Sequence, residues 1–227
     1  MNYSLRLFKR AYRSLAQSFV LTLSLLLASG VSAQESEKKV EQSPMVKLET
    51  SAGDITIKLF PDKAPVTVAN FLSYVDAGQY DNTVFHRVIM NFMVQGGGFE
   101  LERQEISAGR LENVLVEKPT GDPIVNESDN KLHNIRGTIA MARTNDPDSA
   151  SAQFFINQRS NLRLDWSPGK PGYTVFGEVV DGMNAVDFIA TAETGRGKAV
   201  TSGGKTVFGD VPLEPIYLKK ATRVTAP

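Results

Sequence analysis

Val84-Phe85-His86-Arg87-Val88-Ile89 sets a guanidinium inside a run of large apolar residues. Charge is excluded from such a strand unless it is paired or put to use. Alternate strand side chains share a face, so Met93 and Gln95 of Phe92-Met93-Val94-Gln95 lie together, as do Gln153 and Phe155 of Gln153-Phe154-Phe155-Ile156. Two strands therefore each set an amide beside a large apolar group. One reading is architectural, with Arg87 paired to an acid such as Glu178 and the glutamines satisfying backbone at a barrel rim. The other reading makes these polar groups the lining of a site.

On the N-terminal side of this stretch, Val46 and Leu48 alternate with polar residues, Ser51-Ala52-Gly53 offers a turn, and Ile55, Ile57 and Leu59 alternate again. This pattern predicts a β-hairpin. Pro65 suits a first helical turn, and Val68, Phe71, Leu72 and Val75 recur at helical spacing before Gly78. A second short helix fits Met183–Ala190, where Val186, Ile189 and Ala190 share a face. Strand-like runs at Thr83–Val88, Phe92–Gln95, Gly137–Ala142, Gln153–Ile156, Tyr173–Val180 and Ile216–Thr222 bring the strands to eight with the hairpin. Eight short strands and two helices predict a mainly β fold, a closed antiparallel barrel capped by the helices, because closure removes exposed edges. A sandwich is the competing architecture. Glu100–Asn130 is charged, carries Gly109, Pro119, Gly121 and Pro123, lacks steady periodicity, and is expected to be a long loop. Gly195–Gly209 is expected to be a second, glycine-rich loop.

The chain has 227 residues, 41% hydrophobic and 22% charged, a composition that excludes disordered and fibrous classes. Its 25 Lys and Arg balance 25 Asp and Glu, so it carries no global basic footprint and no nucleic-acid partner is expected. The absence of cysteine excludes disulfides, thiolate nucleophiles and Cys-ligated metal centres. Arg6, Lys9, Arg10 and Arg13 precede an apolar run from Phe19 to Leu27, and Val31-Ser32-Ala33 supplies small residues before a charged segment. That order predicts a secretory signal peptide over residues 1–33, cleaved after Ala33; an uncleaved anchor is the alternative, although the apolar run is short of the ~20 residues that span a bilayer. Removing those four bases leaves 21 bases against 25 acids. Residues 34–44 form a polar linker, residues 45–222 the domain, and residues 223–227 a tail.

Other motifs carry less. Gly204-Lys205-Thr206 looks like the end of a phosphate-binding loop, but Ala199 stands where that motif needs glycine. His86 and His133 have no partner at helical metal-ligand spacing, and no serine sits in a Gly-x-Ser-x-Gly elbow. Asn126-Glu127-Ser128 fits a glycosylation acceptor, a short motif frequent by chance.

Phe85-His86-Arg87-Val88-Ile89, Phe92-Met93-Val94-Gln95-Gly96-Gly97, Gly137-Thr138-Ile139-Ala140-Met141-Ala142, Gln153-Phe154-Phe155-Ile156 and Tyr173-Thr174-Val175-Phe176-Gly177 resemble, in order and spacing, the cyclophilin family of peptidyl-prolyl isomerases. The resemblance covers roughly residues 45–222 and, with the leader, looks like a periplasmic bacterial member. It implies an eight-stranded barrel capped by two helices with the site on its outer surface. It also implies isomerisation of X-Pro bonds in exported or unfolded polypeptides, by a monomer needing no cofactor and no metal. Position by position, Arg87 matches the family's catalytic arginine, and Phe92, Met93, Phe155 and Leu164 match the walls of its proline pocket. His86, Gln95, Ala142 and Gln153 match residues of the peptide groove, and Tyr173 matches a position that is histidine in many eukaryotic members. Two residues depart from the pattern: Arg163 stands where many relatives have Trp and others Phe, and Arg143 stands where eukaryotic members commonly have Asn. The first departure implies weak binding of the drug cyclosporin. The rival reading from another class is a binding or chaperone module that keeps the groove but has little catalysis.

Overall fold

Alternation of buried and half-buried residues builds the first hairpin. Strand β1 (Met45–Thr50) buries Val46, Leu48 and Thr50, and β2 (Gly53–Leu59) buries Ile55, Ile57 and Leu59, in the antiparallel register Met45↔Lys58 to Thr50↔Gly53. The Thr50 hydroxyl donates to the Gly53 carbonyl and accepts from the Ala52 amide at 3.0 Å, tightening the turn. Gly53 adopts φ 121°, which a side chain disfavours. The computed structural model describes residues 43–107 and 109–225; the expected leader and nearly all of the expected linker lie outside them.

Helix α1 (Pro65–Asp76) opens on proline, as expected, with no cap from Ala64. Its first free amides are satisfied from far along the chain: the Glu127 carboxylate accepts from the Val66 and Thr67 amides at 3.1 and 2.8 Å and from the Thr67 hydroxyl at 2.7 Å. An anion at a helix N-terminus is stabilised by the unpaired N–H groups and the macrodipole. The acceptor-like triplet of residues 126–128 therefore has structural work: Ser128 is buried and accepts from the Gly172 amide, while Asn126 donates to the Gly172 carbonyl. Helix α1 buries Phe71 against Tyr80, Phe154 and Phe176, with ring centroids 5.1–5.8 Å apart.

The remaining elements are β3 (Thr83–Val84), β4 (Arg87–Ile89), β5 (Met93–Gly96), β6 (Phe99–Ser107), β7 (Arg110–Glu117), β8 (Thr138–Met141), β9 (Phe154–Asn157), β10 (Val175–Asp181), α2 (Met183–Ala190), β11 (Thr194–Thr201), β12 (Gly204–Pro212) and β13 (Tyr217–Val224). Helix α2 starts at Gly182, whose φ is 86° and whose Cβ, were there one, would lie 2.0 Å from the Asp54 carbonyl oxygen. Among the described residues, no helix is long and apolar enough to cross a membrane.

Nine of these strands form one sheet in the order β3-β13-β1-β2-β10-β8-β9-β5-β4. Its end strands β3 and β4 are separated in sequence only by Phe85 and His86, so the sheet is strongly curled. The main apolar core fills the curl beneath α1 and α2, from Val46 and Ile55 through Phe71 and Phe154 to Ile189. The expected run Thr83–Val88 is thus two short strands rather than one.

Most of the two expected loops is instead a second sheet, and only residues 118–130 of the first are irregular as expected. Strands β6 and β7 form a hairpin that turns near Gly109 (φ 82°), and β11 and β12 form another that turns into Gly204 (φ 105°). Parallel pairing of Ala199 with Leu115 and Val200 with Val116 joins them in the order β12-β11-β7-β6. A small cluster of Val84, Phe99, Leu115 and Ala199, with Leu101, Phe208 and Val211 against it, packs this sheet onto β3. Charges and glycines elsewhere along these strands broke the periodicity on which a strand assignment rests. The count of eight strands consequently falls short, although the mainly β character and both helices stand as expected.

Candidate active site

Cross-strand register assembles a row on the sheet face away from the main core. Arg87 of β4 opposes Gln95 of β5, Gln95 opposes Phe155 of β9, Phe155 opposes Ala140 of β8, and Ala140 opposes Val175 of β10. Met93, Ala140, Phe155 and Val175 form an apolar cluster of their own, separate from the main core, with Ile89, Phe92, Leu132, Ala142, Leu164 and Tyr173 packed around it. Opposite strand neighbours lie within about 5.5 Å of each other, so the row places a cation, an amide and an aromatic ring side by side.

This cluster lines a cavity of about 120 Å³ bounded by Arg87, Phe92, Met93, Gln95, Ala142, Arg143, Phe155, Leu164 and Tyr173. Phe155 and Tyr173 meet edge to face at 5.7 Å, and the guanidinium of Arg143 lies over the Tyr173 ring at 4.5 Å while donating to the Pro171 and Gly172 carbonyls. Arg163 lies in the same way over Phe92. Cation–π contact is favoured where the ring presents its negative face. Eight of the residues that sequence reading singled out, Arg87, Phe92, Met93, Gln95, Ala142, Phe155, Leu164 and Tyr173, thus share one cavity.

His86 and Gln153 do not line that cavity. Gln153 accepts from the Gln95 side-chain amide at 3.0 Å, and its stem lies over Gly98, where any Cβ would come within 2.4 Å of it. Gly98 therefore makes room for the amide pair, whereas Gly96 admits the Phe85 ring and Gly97 the rings of Phe154 and Tyr80. His86 is 3% exposed and forms part of a larger cavity of about 300 Å³, between the two sheets, that shares Arg87 and Gln95 with the smaller one. Burial, with the neighbouring Arg87 charge, outweighs the favourable Val84 backbone and Gln153 contacts and lowers the His86 pKa to about 4.

Arg87 pairs not with Glu178 but with Asp210 of β12, Nε to Oδ2 at 3.7 Å, both side chains being nearly half exposed. Asp210 falls just past the stretch expected to be loop and outside every expected strand, so its proximity to Arg87 was invisible from sequence. The pair is too open and too long to be worth more than a fraction of a kcal/mol, and it leaves the guanidinium accessible from the cavity.

The far wall rests on a buried polar network. The Asn161 side-chain amide donates to the Phe92 carbonyl at 2.9 Å and to Asn157 Oδ1 at 2.7 Å. Asn157 donates to Asn134 Oδ1, and Asp165 Oδ1 accepts from both the backbone and side-chain amides of Asn134. Burial works to raise the Asp165 pKa, but these bonds and the His133 contact at 2.7 Å prevail and hold it below the usual carboxylate range. Leu164 sits in the 3-10 turn Leu162–Leu164 that this network encloses, and its carbonyl accepts from the Tyr173 amide. Sequence reading missed these asparagines because isolated Asn residues signal turns as readily as buried networks.

Residues 45–221 match the model of the family described as Cyclophilin type peptidyl-prolyl cis-trans isomerase/CLD. The chain is 48% identical over 181 residues to peptidyl-prolyl cis-trans isomerase B of Escherichia coli, a match covering 78% of this chain and 98% of that one. It is 46% identical over 179 residues to peptidyl-prolyl cis-trans isomerase cyp18 of Streptomyces antibioticus, covering 78% and 96% of the two chains. In fold it is similar to a cyclophilin type peptidyl-prolyl cis-trans isomerase of Cryptosporidium parvum, with a TM-score of 0.61 and 23% identity, over 82% of this chain and 99% of that chain.

Proposed function

Since the chain belongs to the cyclophilin-type peptidyl-prolyl cis-trans isomerases, we propose that Arg87 is the group through which it catalyses rotation about X-Pro peptide bonds. The chain is an isomerase, and proline-containing polypeptides are its substrates. The observation that supports the assignment is the shared cavity: a half-exposed guanidinium bordering an apolar recess of Phe92, Met93, Phe155 and Leu164, of a size suited to a pyrrolidine ring.

Resonance gives the peptide C–N bond a rotational barrier of about 18–20 kcal/mol. In the twisted transition state that resonance is lost and the lone pair localises on the prolyl nitrogen, which carries no hydrogen and so accepts. Arg87 donates to the carbonyl region and to this developing lone pair, an interaction that strengthens only as the amide twists. Arginine suits the task because its planar fork stays charged and holds direction. The apolar walls grip the ring while the other side of the bond turns. Gln95, fixed by Gln153, and Ala142 line the path of the peptide beside Arg87, with Tyr173 closing the end of the recess. Each step uses the chain's own side chains.

We infer further that the strongly curled sheet closes on itself as the expected antiparallel barrel. The run Thr83–Ile89 pairs at its start with β13 and at its end with β5, which supports a sheet whose two edges meet. We infer that the protein is exported to the periplasm and acts there on unfolded chains, from the basic, apolar and small-residue order of residues 1–33. An isomerisation assay of the purified chain on a short X-Pro peptide tests the activity. Acceleration over the uncatalysed rate is expected, and a rate indistinguishable from buffer would favour a groove that binds without turning over.

A further inference from the structure

The cavity of about 300 Å³ beyond Arg87 has no part in gripping the proline ring. It lies where the second sheet faces the strands of the site. Its aromatic wall is the His86 ring 4.6 Å from Phe99, with Phe99 meeting Phe208 edge to face at 5.3 Å. Two carboxylates complete it: Glu117 at the end of β7, and Asp210 on β12. Glu117 is fixed, because its Oε2 accepts from the Ser202 amide at 2.8 Å. Asp210 is matched by Arg87, so Glu117 leaves the lining with one net negative charge. The buried His86 Nδ1 has no hydrogen-bond partner among the described residues, an unmet polar group in a wall that otherwise looks finished.

We propose that this cavity is a specificity subsite for a basic side chain, lysine or arginine, within two residues of the proline in the polypeptide substrate. The inference rests on the isomerase reading and names what that site selects. A long basic side chain has the required dual character. Its methylene stem can lie on the Phe99 and Phe208 rings, and its head, which only donates, meets carboxylates and ring faces that only accept. His86 adds no opposing charge near neutral pH, since burial keeps the imidazole unprotonated down to about pH 4. The two cavities share Arg87 and Gln95, and an extended chain advances about 3.3–3.6 Å per residue, so a neighbour of the proline can reach the second cavity while the ring occupies the first. An acidic side chain there meets Glu117 and is disfavoured.

The test compares kcat/KM for isomerisation across peptides that carry lysine, norleucine, alanine or glutamate at each of the two positions before and after the proline. At one position or more, lysine should exceed norleucine by about tenfold and glutamate should fall below alanine, with the lysine advantage shrinking as salt is raised. In Glu117→Gln the lysine-to-norleucine ratio should collapse towards unity, and in Glu117→Lys the order of lysine and glutamate should reverse. The ratio within one variant is independent of how much folded enzyme the preparation contains. Equal values for lysine, norleucine and glutamate at all four positions, with the alanine peptide turned over normally, would overturn the subsite and leave the isomerase standing. A lysine advantage that survives unchanged in both Glu117 variants would overturn it as well. Failure to turn over any peptide would instead remove the isomerase reading on which it rests.

Discussion

The guanidinium carbon of Arg163 lies 4.6 Å from the centroid of the Phe92 ring, so a charged residue covers one wall of the proline recess. An exposed contact of this kind is worth about 0.5–1 kcal/mol. Its larger consequence falls on apolar ligands, which must displace or desolvate that charge to lie across Phe92. The chain should therefore bind cyclosporin weakly. Arg163→Trp exchanges the charge for a broad apolar face and an indole donor, and should tighten inhibition at least about tenfold. Turnover of X-Pro peptides should change little, because Arg163 covers only the Phe92 wall while the buried Met93 and Phe155 form the deeper part of the recess. Nanomolar inhibition of the unaltered protein, measured by titrating the drug into the peptide assay, would show that Arg163 does not obstruct the surface.

Arg87 contributes little to folding, being nearly half exposed and joined to Asp210 at 3.7 Å. Arg87→Ala should therefore unfold close to the wild-type midpoint while losing turnover on the order of 10²–10³, as for removal of one preorganised donor. Arg87→Lys restores the charge but not the planar fork, and should recover only part of the loss. Peptide turnover measured beside a urea titration decides the matter. Turnover within about threefold of wild type in Arg87→Ala would leave the arginine a structural residue.

How much of this was legible in sequence followed from how each part is buried. Val46, Leu48, Ile55 and Ile57 alternate because one face of their hairpin is wholly inside, and Val68, Phe71, Leu72 and Val75 recur because α1 buries one stripe. The second sheet buries only a few residues of each strand, so Leu101 and Leu115 were lost among glutamates and arginines. Two of its glycines admit neighbours rather than end strands: a Cβ at Gly195 would meet Leu213 at 2.8 Å, and one at Gly197 would meet Val211 at 2.9 Å. Arg87, Gln95 and Phe155 were readable as polar and aromatic intrusions into strands. Asp210 and Glu117 were not, because nothing in a charged segment says which carboxylate will face the site.

Phe155 is 4% exposed and touches both the recess and the cluster beneath it. Phe155→Ala should thus cost stability and affinity together, about 3–4 kcal/mol in unfolding free energy for a buried ring and a clear rise in KM. Phe155→Leu separates them by retaining apolar volume while losing the edge-to-face contact with Tyr173. Its stability loss should be less than half that of alanine, with most of the KM effect kept. Unchanged KM in both variants would take Phe155 out of the proline pocket.

His86 sets a pH dependence of stability that is separate from catalysis. Its pKa falls from 6.5 to about 4 on folding, chiefly through burial, so between those values the unfolded chain binds more protons than the folded one. The stabilising contribution is therefore complete above pH 6.5 and is lost as pH falls towards 4, by on the order of 3 kcal/mol in total. Asp76, Asp165 and Asp187 act in a lower window: hydrogen bonds to Arg223, Asn134 and Arg136 hold their carboxyls below 3.8, and their contribution is lost only as pH falls below that value. His86→Phe keeps an aromatic ring against Phe99 and Phe208 and removes the titrating group. Urea midpoints at pH 7, 5.5 and 4.5 should decline for the wild type and stay nearly level for His86→Phe. A parallel decline in both proteins would mean that another group carries the linkage, and a flat wild-type profile would mean that the imidazole reaches solvent.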